Sequence, residues 1–221
     1  MKAMKAYKLS PSDFAYLYQE CKHCYYRKIR MGFARPKMPF PGIFTAINSR
    51  LQGALVGNDL RTLSADLPEG VVIKQEGFVR SQVVPDTEVF LSGKYDILVQ
   101  KPDGTHLLID FKLSEPKEEK IELYKTQLYA YKFALENPQT GEPLMVNQMG
   151  LIVMYPDTVK FENGRAILDF PPRFLEIPVD SDGFMNFIGE VNKLLTGPLP
   201  SKSLSCPWCQ YQQIEEDLTE F

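Results

Sequence analysis

The sequence predicts an α/β fold: a mixed β-sheet flanked by helices. Three observations carry that expectation. Helical and strand-like periodicities alternate along the 221 residues, as they do where helices cover a sheet. Two strand-like runs, "VFLSGKYDILVQ" and "LLIDFKLS", lie either side of the turn "KPDG" and read as a hairpin. A third run, "QMGLIVMYPD", is apolar almost throughout, which suits a strand buried on both faces.

Taken in order, residues 11–31 read as a helix, with Ser10 or Ser12 as its cap. "RPKMPFPG" breaks the chain, and residues 42–56 form a second helix. Residues 71–84, rich in Val and Ile, read as a strand. Val89–Gln100, the turn Lys101–Gly104 and the strand Thr105–Leu113 make the hairpin. Residues 116–136 return to helical spacing, with Leu128, Tyr131 and Leu135 on one face. After the apolar strand, "VKFENGRAILDF" is a second hairpin turning at Asn163-Gly164, and "RFLEIPV" is a short strand. "DSDGFMNFIGEVNKLLTG" is an amphipathic helix that ends near Gly197. There is no internal repeat.

Apolar residues at 44% and charged residues at 24% are those of a soluble globular chain. No run approaches the length of a membrane span, and the basic N-terminus leads into no apolar signal core. The expectation is a cytoplasmic protein without a membrane partner. A net charge of -3 conceals an asymmetry: residues 1–61 carry eleven Lys and Arg against three acids. Arg27, Lys28 and Arg30 are interleaved with aromatics in "CYYRKIRMGF", and Arg35 follows. Such a stretch attracts a phosphate backbone and offers rings for stacking on bases. A solvated helical face over core tyrosines has the same composition. The tail "QIEEDLTEF" is acidic and reads as solubilising.

The four cysteines form two Cys-x-x-Cys pairs, Cys21 with Cys24 and Cys206 with Cys209, and none is left over. In a cytosolic chain that pattern favours a metal or iron-sulfur site over disulfides. Four thiolates suit tetrahedral zinc or one iron-sulfur cluster. A redox motif is the alternative for "CPWC", although it sits in a Pro- and Ser-rich segment. If both pairs share one site, the two ends of the chain are joined there, which argues for one domain. His23, between two of the ligands, reads as a solvated neighbour.

Asp110 and Lys112 interrupt an apolar strand two residues apart, so both emerge on one side. Asp96 interrupts the partner strand in the same way. Adjacent strands are about 4.8 Å apart, close enough for two carboxylates to reach one divalent ion if the register brings them level. A lysine beside such a pair suits phosphoryl chemistry, because it stabilises developing negative charge. Glu76, on the preceding strand, is a further acid with an exposed position as its plainer reading.

Asp96, then Asp110-x-Lys112 in the adjoining strand, resembles the PD-(D/E)xK nuclease superfamily. Gln127 and Tyr131 in "QLYAY" resemble the Gln-x-x-x-Tyr motif of its RecB-like branch; at i and i+4 they share a helix face. Cysteines at both ends further resemble the CRISPR-associated RecB-type exonucleases. The resemblance implies a restriction-endonuclease-like core and a metal-dependent exonuclease acting on single-stranded DNA ends. It implies Mg2+ or Mn2+ at Asp96, Asp110 and the Phe111 carbonyl, with Lys112 catalytic and with Gln127 and Tyr131 orienting the site. It also implies a 4Fe-4S cluster at the four cysteines, with zinc as the alternative, and DNA and a CRISPR adaptation or recombination protein as partners. One domain is expected: a helical segment 1–62, a nuclease core 63–180 and a C-terminal helix with its CxxC tail, 181–221. The branch carries a histidine on the early helix. Here "GIFTAINSRLQGAL" has none and offers only Asn48 and Gln52.

Overall fold

The computed structural model describes residues 6–36, 39, 41–115, 117 and 119–219, with the backbone alone for 119, 120 and 215–219. Lys2, Lys5 and Lys37 of the basic stretch, and residues 116 and 118 of the expected helix 116–136, lie outside it. The sheet contains β1 (Tyr7–Leu9), β2 (Val71–Val83), β3 (Val89–Gln100), β4 (His106–Leu113), β5 (Val146–Met154) and β8 (Pro172–Ile177). It is mixed: β1 and β3 are parallel, as are β4 and β5, and the other pairs are antiparallel.

β3 organises the sheet. β2 runs along one of its edges. The other edge is shared: β1 pairs with Val89–Leu91 and β4 with Ile97–Gln100. Ser92 to Asp96 therefore face a gap between β1 and β4. Gly77 lies opposite Tyr95 across β2 and β3, where a Cβ would come within 2.2 Å of the tyrosine ring.

Alternation along the central strands sends apolar side chains to both faces. On one face Leu91, Leu108, Met149, Leu151 and Val153 pack under α4 (Glu119–Glu136), α5 (Ser181–Thr196) and the N-terminal helices. That single core takes in Phe14 and Tyr25 near one end of the chain and Cys206 and Cys209 near the other. On the opposite face Ile97, Val99, Leu107, Ile109 and Phe111 meet Leu55 of α3 (Gly42–Leu55). The apolar strand β5 lies between β4 and β8, as its composition predicts. Leu128, Tyr131 and Leu135 are all buried under α4. The second hairpin, β6 (Thr158–Glu162) and β7 (Arg165–Asp169), forms a separate two-stranded sheet exposed at every position.

Three expectations need correcting. The helix expected over 11–31 is three pieces: α1 (Pro11–Asp13), a π-helical turn (Phe14–Tyr18) and α2 (Lys22–Met31). Cys21 interrupts them because it is extended, and its Sγ accepts a bond from the Cys24 amide at 3.5 Å in place of a helical turn. Ser10 does not cap; its hydroxyl bonds that of Ser12. The C-terminal tail is helical: α6 (Pro207–Thr219) opens with proline at its first position, where the missing N–H costs nothing.

Candidate active site and cysteine centre

The gap beside β3 is where the charged residues meet. The β3–β4 ladder stops at Ile97 and Ile109. One position beyond, Asp96 Oδ2 accepts the Phe111 amide proton at 2.8 Å, so a side chain takes over where the ladder ends. Asp96 and Asp110 are neighbours there, on the side of the sheet covered by α4, where their carboxyls interact. Lys112 Nζ lies 2.7 Å from Asp110 Oδ2, so the two charges do share a side. Gln127 Nε2 donates to Asp110 Oδ1 at 2.8 Å from α4. Tyr131, one turn on, does not reach the carboxylates; its hydroxyl donates to the Lys94 carbonyl at 2.8 Å and fixes β3 just before Asp96.

Burial dominates the electrostatics. It pushes the Asp96 carboxyl up to about 7, and the neighbouring Asp110 charge adds to this. Asp110 is raised for the same first reason, with Lys112 opposing. Burial pushes the Lys112 ammonium pKa down, but Asp110 and Asp96 outweigh it and raise it. The Asp110 Oδ2 atom is buried and has no aligned hydrogen bond beyond the ammonium contact. Two carboxylates with spare lone pairs and a raised tendency to protonate form an oxygen donor set suited to Mg2+ or Mn2+.

Several neighbours were not apparent in the sequence. Lys112 Nζ stands 4.5 Å above the Tyr124 ring, and the Tyr124 hydroxyl shares a 2.9 Å bond with that of Tyr16. Tyr124 precedes Gln127 by three residues, so helical spacing signals that they share a face. Tyr16 carries no such signal; the π-helical turn presents it, a feature common at functional sites. Tyr16, Thr45, Asn48, Lys112 and Ser114 line a cleft of about 350 Å3 beside the lysine. Gln52 is fully buried and neither of its amide atoms has a partner, and the Asn48 carbonyl oxygen is likewise unpaired. Glu76 is exposed, pairs with Lys94 at 2.9 Å and raises the Asp96 carboxyl further. Its backbone is left-handed at φ 48°, uncommon for a non-glycine residue inside a strand.

The four cysteines converge from both ends of the chain. All are buried and free, and their sulfurs lie within 4.8 Å of one another, as a shared metal site requires. His23 corrects its reading as a solvated neighbour: it is buried, and its Nδ1 bonds the Pro200 carbonyl at 2.7 Å.

The basic residues of α2 and the segment after it have intramolecular partners. Arg27 donates to Gln212 Oε1 at 2.6 Å, and Arg30 to the Leu195 carbonyl at 2.7 Å. Arg35 pairs with Glu20 at 2.8 Å and donates to Cys206 Sγ at 2.9 Å. Lys28 pairs with Asp13 at 2.7 Å. Lys28 and Arg30 also line, with Lys8 and Arg80, a cleft of about 1130 Å3 near the start of β3. Among the described residues no helix is long and apolar enough to cross a membrane.

A sequence profile of the PD-(D/E)XK nuclease superfamily matches residues 30–214. No curated protein matches the chain. Among solved structures, the "Crystal structure of SSO0001" aligns with a TM-score of 0.51 at 15% identity. The match covers 94% of this chain and 84% of that one, and is a likeness of fold.

Proposed function

This chain belongs to the PD-(D/E)XK nuclease superfamily, and from that premise we propose that it is a metal-dependent DNA nuclease of the RecB-like branch. Its substrate is DNA with free, single-stranded ends, which it hydrolyses as an exonuclease. One observation carries the reading: Asp96, Asp110 and Lys112 meet at a gap in the sheet, with Asp110 buried and the other two half-buried. Asp96, Asp110 and the Phe111 carbonyl would hold Mg2+ or Mn2+, which would supply Lewis-acid polarisation of a phosphate and a water of lowered pKa. Lys112, kept charged by the two carboxylates, stabilises the negative charge that develops on the phosphate. Gln127 holds Asp110 in orientation, and Tyr131 holds the backbone that carries Asp96. The cleft beside Lys112 receives the strand end, and the basic cleft lined by Lys8, Lys28, Arg30 and Arg80 receives the backbone farther along.

The whole chain acts as one domain, with segment 1–62 and segment 181–221 closing over the core 63–180. The CRISPR-associated relatives it resembles make an adaptation or recombination protein its natural partner. A second reading, a DNA-end or partner-binding protein that does not cleave, is favoured by α3, which offers the amides of Asn48 and Gln52 where the branch has a histidine.

The two readings separate in one experiment. End-labelled single-stranded and double-stranded DNA are incubated with the protein and Mn2+ or Mg2+, beside Lys112→Ala. The nuclease reading expects single-strand degradation that falls by about 10²–10³-fold in the variant while DNA binding persists. Binding without cleavage under either ion would establish the second reading instead.

A further inference from the structure

The positions of the four thiols decide what they can hold. Cys21 Sγ lies 3.6 Å from Cys209 Sγ, and Cys24 Sγ lies 3.8 Å from both Cys206 Sγ and Cys209 Sγ. The full set fits within 4.8 Å. A single tetrahedral ion bonded to four thiolates at ~2.3 Å sets every sulfur–sulfur edge near ~3.8 Å. A cubane cluster places each thiolate on a different iron, so the body of the cluster stands between the sulfurs and drives them well beyond that edge. We propose that this centre holds one zinc ion in a closed site of four cysteine thiolates, in disagreement with the 4Fe-4S cluster that the resemblance implies.

The surroundings are built for a compact dianionic centre. Each pair opens a helix in the same way: Cys21 directly precedes α2 with Cys24 in its first turn, and Cys206 directly precedes α6 with Cys209 in its first turn. Two helix N-termini therefore meet at the sulfurs, and their partial positive charge favours thiolates. The Cys24 amide reaches Cys21 Sγ at 3.5 Å. Arg35, whose other terminal nitrogen pairs with Glu20, donates to Cys206 Sγ from Nη2 at 2.9 Å. Four thiolates and one Zn2+ leave two negative charges, which these dipoles and the guanidinium offset. The four cysteines are 0–7% exposed, so no position is left open for an exchangeable ligand, as in a structural site. The inference does not depend on whether the protein cleaves DNA.

The test is composition rather than activity. The full chain is purified without oxygen, and its zinc, iron and acid-labile sulfide are measured beside its visible spectrum. One zinc per chain, no sulfide and a colourless solution are expected. Exchange with Co2+ should give the intense blue-green spectrum of a tetrahedral thiolate site. Brown protein with iron and sulfide in equal fourfold amounts overturns the proposal. So does mononuclear iron without sulfide, or a metal-free protein whose cysteines are paired as disulfides. Arg35→Gln, which leaves the four ligands in place, should weaken zinc about 10–100-fold in competition with a chromophoric chelator; unchanged affinity would remove Arg35 from the site's design.

Discussion

Asp110 and Lys112 show what a residue pattern carries and what it omits. Their two-residue spacing in an apolar strand places them on one side, and the long lysine side chain then reaches Asp110 at 2.7 Å. Asp96 is different. Its approach to Asp110 depends on the ladder ending at Ile97 and Ile109 and on a side chain taking the Phe111 amide, which no local pattern encodes. Tyr16 was illegible because a π-helical turn breaks the helical spacing by which a neighbour would be inferred. The burial of Asp96 makes a prediction. Its carboxyl is held at about 7, against an unfolded value of about 3.9. Between those values the folded protein binds more protons than the unfolded chain, so this group's contribution to stability is present at the acid end and lost as pH rises towards 7. Without divalent ion, the denaturant midpoint should therefore fall from about pH 4 to about pH 7, and Asp96→Asn should flatten that fall. Added Mg2+ or Mn2+ should oppose it in the wild-type protein by favouring the ionised pair. Chemical denaturation across that range, with and without the ion, measures all three effects. Identical pH profiles for wild type and variant would deny that the carboxylate is desolvated.

At the scale of elements, strands and helices with long, clean periods were legible: α3, α5, β2 to β5 and the position of β5 inside the sheet. The misses share a cause. β1 spans Tyr7–Leu9, too short to show a period, and exists through its parallel pairing with β3. The break before α2 comes from Cys21 acting as a cap, so the ligand geometry outweighed the helical pattern around it. The stretch "QIEEDLTEF" read as an acidic tail, yet as far as Thr219 it continues a helix that starts on Pro207. α4 was legible twice over, since Leu128, Tyr131 and Leu135 share one helix face and Gln127 and Tyr131 fall at i and i+4, and all four are buried. That face serves both core and site, so the two are separable by mutation. Leu128→Ala should cost about 2–5 kcal/mol of stability through the cavity it leaves. Gln127→Ala should cost less in stability yet reduce cleavage, because it frees Asp110 to turn. Gly77→Ala probes the β2–β3 contact: its Cβ would need the space of the buried Tyr95 ring. It should cost about 1–3 kcal/mol, read as a lower denaturant midpoint at unchanged m-value.

For the whole molecule, the cysteine centre determines how the ends are held. Cys24 and Cys206 stand 182 positions apart in the chain, and almost the whole fold lies between them. The same core contains Phe14 and Tyr25 from one end and Ile188, Leu195 and Cys209 from the other, so a metal bound by the four cysteines would close the same loop as the apolar packing. Arg27 with Gln212 and Arg30 with the Leu195 carbonyl add cross-links around it. Closing a loop of that length removes chain entropy worth about 5 kcal/mol from the unfolded state, by the relation used for disulfides. For a chain of this size that corresponds to about 10–20 °C in melting temperature. The unfolded chain has no preformed site, so binding energy at the centre appears directly as folding energy. Stripping the ion with a strong chelator should lower the Tm by that order. Zinc should restore it, and Mg2+ or Mn2+ should not, because those ions seek the oxygen donors of Asp96 and Asp110 rather than thiolates. Lys112→Ala should respond to the chelator as the wild-type protein does, which separates the structural centre from the catalytic one. Differential scanning calorimetry on both proteins, with each ion returned in turn, gives the answer. A Tm that ignores the chelator while zinc is demonstrably removed would mean that the packed core, and not the metal, holds the ends together.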